Sequence, residues 1–89
     1  MKLMKITNSD ERYFFMCPGC KETHRVYIGP GGWVFNGDYN NPTLTPSVLV
    51  TAEPTPYRCH SFVTNGKIQF LSDCSHELAE QMVELPEIE

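Results

Sequence analysis

Cysteine and histidine are the residues of this chain whose types and spacing promise chemistry. All four cysteines and all three histidines fall into two clusters. The first is Cys17-Pro18-Gly19-Cys20, with His24 just beyond it. The second is Cys59-His60, followed by Cys74-Ser75-His76. A Cys-X-X-Cys pair bites one metal ion from a tight turn, and proline and glycine suit that turn. Thiolates are soft ligands that favour tetrahedral Zn²⁺. The spacing predicts a closed site of Cys17, Cys20, Cys59 and Cys74, with His60, His76 and His24 as alternate ligands. Cys59 and His60 are neighbours in a strand pattern and point to opposite faces, so they do not both hold one ion.

Other uses of these residues fit less well. Structural disulfides belong to exported proteins, and Met1 to Lys5 has neither an apolar core nor a cleavage site, which predicts a cytoplasmic chain. Thioredoxin-like chemistry needs the first cysteine at a helix N-terminus, whereas this pair lies between two strand patterns. Four cysteines would suffice for an iron–sulfur centre, but the adjacent histidines favour zinc. A catalytic zinc needs three protein ligands, an open position and a nearby base. Cys17, Cys20 and Cys59 with His60 or Asp73 fit those roles in outline. Yet no His-X-Glu precedes the cysteine pair as in the zinc deaminases, and His76-Glu77 lacks the second histidine of a zincin helix.

The elements that must position these ligands are short. The 89 residues predict one domain, residues 1–89, with so small a core that a structural metal is a natural remedy. Strands are predicted over Leu3 to Thr7, Arg12 to Met16, Thr23 to Ile28, Trp33 to Phe35, Ser47 to Ala52, Tyr57 to Thr64 and Lys67 to Leu71. Asn8 to Glu11 reads as a polar turn. His24, Val26 and Ile28 share one strand face. Asn65-Gly66 is a type I′ hairpin signal, and it brings Cys59 and Cys74 together at the open end of its hairpin. Ser75 to Met82 is the one helical pattern, only about two turns long. The segment Trp33 to Ser47 is long and irregular; Trp33 reads as a core residue, and the rest of the loop is the best candidate for a contact surface. The net charge of −4, without a Lys/Arg cluster, argues against phosphate-backbone binding. No apolar run approaches the length of a membrane span.

The chain also resembles a known family. The residues that carry the likeness are Cys-Pro-Gly-Cys with its histidine, Trp33 to Asp38, Pro42 to Val48, Arg58 to Val63, Asn65 to Ile68, Phe70-Leu71 and Asp73 to His76. They resemble a family of small proteins of unknown function encoded by tailed phages and prophages, some of which carry an "ammonia monooxygenase" label. The resemblance implies life in a phage-infected or lysogenic bacterium and a metal site, and it supplies no activity. The resulting expectation is a mainly β, zinc-ribbon-like domain of antiparallel hairpins with one short C-terminal helix. It would act as a non-enzymatic phage accessory protein through contacts with a host or phage protein, its zinc structural and no residue catalytic. Two alternatives stand beside it. One is a small zinc-dependent hydrolase or deaminase-like enzyme. The other is a nucleic-acid-binding ribbon in which Tyr57, Phe62 and Trp33 stack bases.

Overall fold

The computed structural model describes residues 1–7 and 11–88, so most of the turn expected over residues 8–11 lies outside the described residues. The described residues form two antiparallel sheets. The first has three strands, β1 (Met4–Lys5), β2 (Arg12–Cys17) and β3 (Glu22–Tyr27), in that order. The second has five, in the order β4 (Val34–Phe35), β5 (Leu44–Thr51), β6 (Arg58–Thr64), β7 (Lys67–Phe70) and β8 (Met82–Glu84). Every sheet neighbour is also a sequence neighbour, as short turns dictate. Among the described residues no helix is long and apolar enough to cross a membrane.

Alternation explains which face each strand buries. In β3, His24 and Val26 are buried, Thr23, Arg25 and Tyr27 on the other face are exposed, and Glu22 is exposed at the strand's start. In β6, Cys59, Ser61 and Val63 are buried while Arg58, Phe62 and Thr64 are exposed. The inward residues of both sheets meet in one core of Leu3, Phe15, Cys17, Val26, Leu44, Val48, Cys59, Val63, Ile68, Phe70 and Leu85. Asn65 and Gly66 both have positive φ, 51° and 80°, the geometry of the expected type I′ turn between β6 and β7.

The expected C-terminal helix over Ser75 to Met82 does not form. Tertiary demands override its weak propensity. Ser75 N–H is drawn to Arg58 C=O, and the bonds that follow are tight ones, Ala79 N–H to His76 C=O and Gln81 N–H to Leu78 C=O. Glu80 then turns to a φ of 69°, which no right-handed helix admits. The chain leaves this turn as β8, pairing Ile68 with Val83. Eight residues offer too few helical bonds to compete with a sheet edge.

Candidate metal centre and active site

The first half-site is the tip of the β2–β3 hairpin. Lys21 N–H donates to Cys17 C=O at 2.8 Å and Cys20 N–H to Cys17 Sγ at 3.3 Å, which folds the Cys-X-X-Cys loop around its sulfurs. The second half-site comes from β6 and the turn after β7. The ligand atoms of Cys17, Cys20, Cys59 and His76 all lie within 4.8 Å of one another. Cys17 Sγ is 3.9 Å from Cys59 Sγ, and Cys59 Sγ is 3.3 Å from His76 Nε2. Two sulfurs on a tetrahedral zinc ion would stand about 3.8 Å apart, and a sulfur and an imidazole nitrogen about 3.5 Å. The four donors therefore fit a metal ion.

His76 takes the place expected for Cys74. The Cys74 sulfur is engaged elsewhere: it accepts from His60 N–H and donates to His60 C=O, both at 3.2 Å. The likeness of the two candidates in sequence hid the choice, because Cys74 and His76 are equally near the hairpin's open end. His76 reaches the cluster because its ring lies across Gly19, with Phe70 packed edge-on at 4.4 Å. A Cβ on Gly19 would fall 2.3 Å from His76 Cε1. Gly19→Ala is thus expected to push the ring off the ion and to weaken metal affinity about 10–100-fold, the range for changes that misorient a ligand. Titration against a chelator of known affinity measures it. His24 stands beside the cluster, buried and edge-on to Phe15 at 5.6 Å, outside the set of four.

The electrostatics of the cluster ask for a cation. Hydrogen bonding from Cys59 is the chief influence on Cys17, and it lowers that thiol to about 3 against the opposing effect of burial, with help from His24 and Cys20. The same bond, with burial, pushes the Cys59 thiol up. Burial raises Cys20, although Tyr57 donates its hydroxyl to that sulfur at 2.8 Å. Tyr57 is in turn raised, first by burial and then by its bond to Cys20. One thiolate held among thiols is what crowded sulfurs adopt by themselves, and a divalent ion would ionise them together.

Beyond the metal cluster, on the opposite face of β6, lies a second array. His60 points outward, as alternation from Cys59 requires. Its Nε2 is 3.0 Å from Ser47 Oγ and its Nδ1 is 3.2 Å from Asp73 Oδ2. Each member is placed by an identifiable device. Leu49 pairs with His60 across β5–β6, which sets Ser47 as the diagonal neighbour within reach of the long imidazole. The ladder slips between Leu44 and Val48, so residues 45–47 form a bulge on β5. Pro46 sits in that bulge, where no ladder N–H is needed. The Trp33 indole N–H donates to Ser47 C=O at 3.2 Å and fixes the bulge from the β4 side. Asp73 lies in the turn after β7, tied by Cys74 N–H to Leu71 C=O and by Leu71 N–H to His60 C=O. Arg58 Nε donates to Asp73 Oδ2 at 2.7 Å. That guanidinium is the main reason the Asp73 carboxyl stays below its usual range; desolvation opposes it, and His60 adds a lesser lowering.

Serine, histidine and aspartate in hydrogen-bonded series are the nucleophile, base and orienting acid of serine hydrolases. The comparisons agree with that class. The family described as "BubE: Bacterial ubiquitination-like system serine protease" matches residues 2–71, and the chain belongs to it. No curated protein and no solved structure matches. Membership in a serine protease family overturns the expectation of a non-enzymatic phage accessory protein. That expectation left Ser47 as the first residue of a strand, His60 as an alternate ligand and Asp73 with no chemical role outside the catalytic-zinc alternative. One signal for the array was present in the sequence: the residue next to a buried cysteine ligand in a strand must face away from the metal.

Proposed function

We propose that this chain is a serine protease of a bacterial ubiquitination-like system, in which Ser47 attacks, His60 moves the proton and Asp73 orients His60. The observation that carries the reading is the continuous series Ser47 Oγ, His60 Nε2, His60 Nδ1, Asp73 Oδ2, with separations of 3.0 and 3.2 Å. The role of the metal is structural, and Zn²⁺ is the ion that three thiolates and one imidazole suit best. When bound, it supplies a cross-link between the β2–β3 tip, β6 and the turn that follows β7.

The reaction follows from the placement of protons. Ser47 O–H donates to His60 Nε2, and Oγ bonds to the scissile carbonyl carbon as Nε2 takes the proton. His60 Nδ1–H donates to the Asp73 carboxylate throughout, which holds the tautomer whose Nε2 is free to accept. The protonated Nε2 then gives its proton to the leaving amine, the C–N bond breaks, and an ester on Ser47 remains. Water attacks that ester while Nε2 takes one of its protons. Ser47 Oγ leaves with a proton returned from Nε2, and the carboxylic acid product departs.

The side chains of His60 and Asp73 are 24% and 39% exposed, so a polypeptide at the surface reaches them without an opening step. The test is covalent labelling with a small alkyl fluorophosphonate, located by peptide mass mapping. Label is expected on Ser47 and on no other serine. It should be absent from Ser47→Ala and slowed at least about 10³-fold in His60→Ala. A label elsewhere, or none on the metal-loaded protein, refutes the assignment.

A further inference from the structure

We infer that the bare edge of β5 beyond Ser47 is the substrate-binding strand, which takes an extended peptide by antiparallel main-chain pairing. The inference rests on the protease reading above and adds to it how substrate is held.

The argument begins with the direction of backbone groups. His60 N–H donates to Cys74 Sγ, and His60 C=O accepts from Leu71 N–H. Arg58 N–H donates to Ser75 Oγ, and Arg58 C=O accepts from Ser75 N–H. Both residues therefore turn their polar backbone groups away from β5. In an antiparallel ladder, the residues opposite them then turn theirs away from β6. Those residues are Leu49 and Thr51. The Ser47 carbonyl, which points to the Trp33 indole on the β4 side, has the same parity.

The side to which Leu49 and Thr51 turn has no strand. β4 is two residues long and reaches only Leu44 and Thr45. Among the described residues, no strand pairs with β5 on that side from Pro46 onward. An open cleft of about 360 Å³ runs past this stretch, between Val50, Thr51 and Ala52 on one side and Cys20, Glu22 and Tyr57 on the other. Leu49 itself is 47% exposed. A sheet edge with free N–H and C=O groups is a template for another strand, and proteins normally blunt such an edge. Here it is left bare from two residues after the nucleophile.

Polarity fixes which part of the substrate lies there. A peptide antiparallel to β5 runs from Thr51 toward Ser47, so its C-terminal direction leads to the nucleophile. The residues on the acyl side of the scissile bond therefore pair with Thr51 and Leu49, and the scissile carbonyl arrives at Ser47 Oγ. Trp33 closes the path beyond. Main-chain pairing of this kind supplies affinity with little regard to side chains, and it selects an unfolded tail over a folded surface.

The experiment compares two probes on the metal-loaded protein. One is the small fluorophosphonate, which needs no strand. The other is a tri-alanyl diphenyl phosphonate, used with its amides free and with each N-methylated in turn. N-methylation of a pairing amide is expected to slow inactivation about tenfold, the worth of one or two main-chain hydrogen bonds. Leu49→Pro removes an N–H that β6 does not use, and it should cost the free peptide probe about the same. Leu49→Ala, which keeps that N–H, should stay within about twofold. Each peptide-probe rate is read relative to the fluorophosphonate rate of the same protein, so that a general loss of Ser47 reactivity is divided out. Equal peptide-probe rates across the N-methyl series overturn the edge assignment even if Leu49→Pro fails to fold. Failure of both probes to label Ser47 overturns the protease reading itself.

Discussion

Replacing His60 with alanine is expected to lower peptide-bond hydrolysis about 10⁶-fold, and Asp73→Asn about 10⁴-fold, with metal content unchanged in both. The reasons differ. Among the described residues His60 is the base that meets Ser47 Oγ, so without it the hydroxyl must ionise unaided. Asp73→Asn keeps shape and size. However, Arg58 Nε and His60 Nδ1 both meet Oδ2, and an asparagine carbonyl oxygen in that place accepts from both. What the substitution removes is the negative charge that stabilises the imidazolium formed when His60 takes the Ser47 proton. Ser47→Ala combined with His60→Ala should be no worse than either alone, because the groups act as one unit. Additive losses would mean that the two residues act separately, and the mechanism would fall. Metal content and the β-sheet signal, expected to be unchanged in these variants, separate lost chemistry from lost protein.

The two arrays were unequally legible in the sequence. The β2–β3 hairpin with its Cys-X-X-Cys tip, and the β6–β7 hairpin around Asn65-Gly66, follow from alternation and turn chemistry, and both stand in the structure. That Cys17, Cys20 and Cys59 come together in the cluster was legible for the same reason. His76 stood only among the alternates, since its arrival at the cluster depends on space over Gly19 and on the edge of Phe70, both of which are tertiary facts. The active array was harder still. Ser47, His60 and Asp73 have no fixed spacing, and they meet only through the β5–β6 register and the bulge at residues 45–47. The outward direction of His60 could be read from Cys59, but its partners could not. The missing helix has a similar cause: three-dimensional anchors at Ser75 and His76 outweighed a pattern only about two turns long.

Removal of the metal should abolish both the fold of the second half-site and the reactivity of Ser47, although no metal ligand touches Ser47. Cys59 precedes His60 on β6, and His76 follows Asp73 in the turn after β7, so an ion held by the cluster would tie together the two segments that carry the proposed base and acid. Cys74 reinforces the same junction by clamping both backbone groups of His60. A structural zinc contributes about 10–16 kcal/mol to the folding of small domains, whereas whole domains are stable by only about 5–15 kcal/mol. Chelation is therefore expected to cause cooperative loss of the β-sheet signal, with fluorophosphonate labelling disappearing in step and returning when Zn²⁺ is restored. Elemental analysis should find one metal ion per chain. Cys17→Ser, Cys20→Ser, Cys59→Ser and His76→Ala should each lose it. Cys74→Ser should retain it, because that sulfur binds the His60 backbone and a hydroxyl can replace it there, at a stability cost of about 1 kcal/mol. A metal lost from Cys74→Ser and kept by His76→Ala would reverse the ligand assignment. Labelling that persists in the chelated, unfolded chain would show that Ser47 reacts without the array. Chelated protein that keeps its sheet but loses its label would confine the metal's influence to the Asp73 turn, with the two sheets standing on their shared core alone.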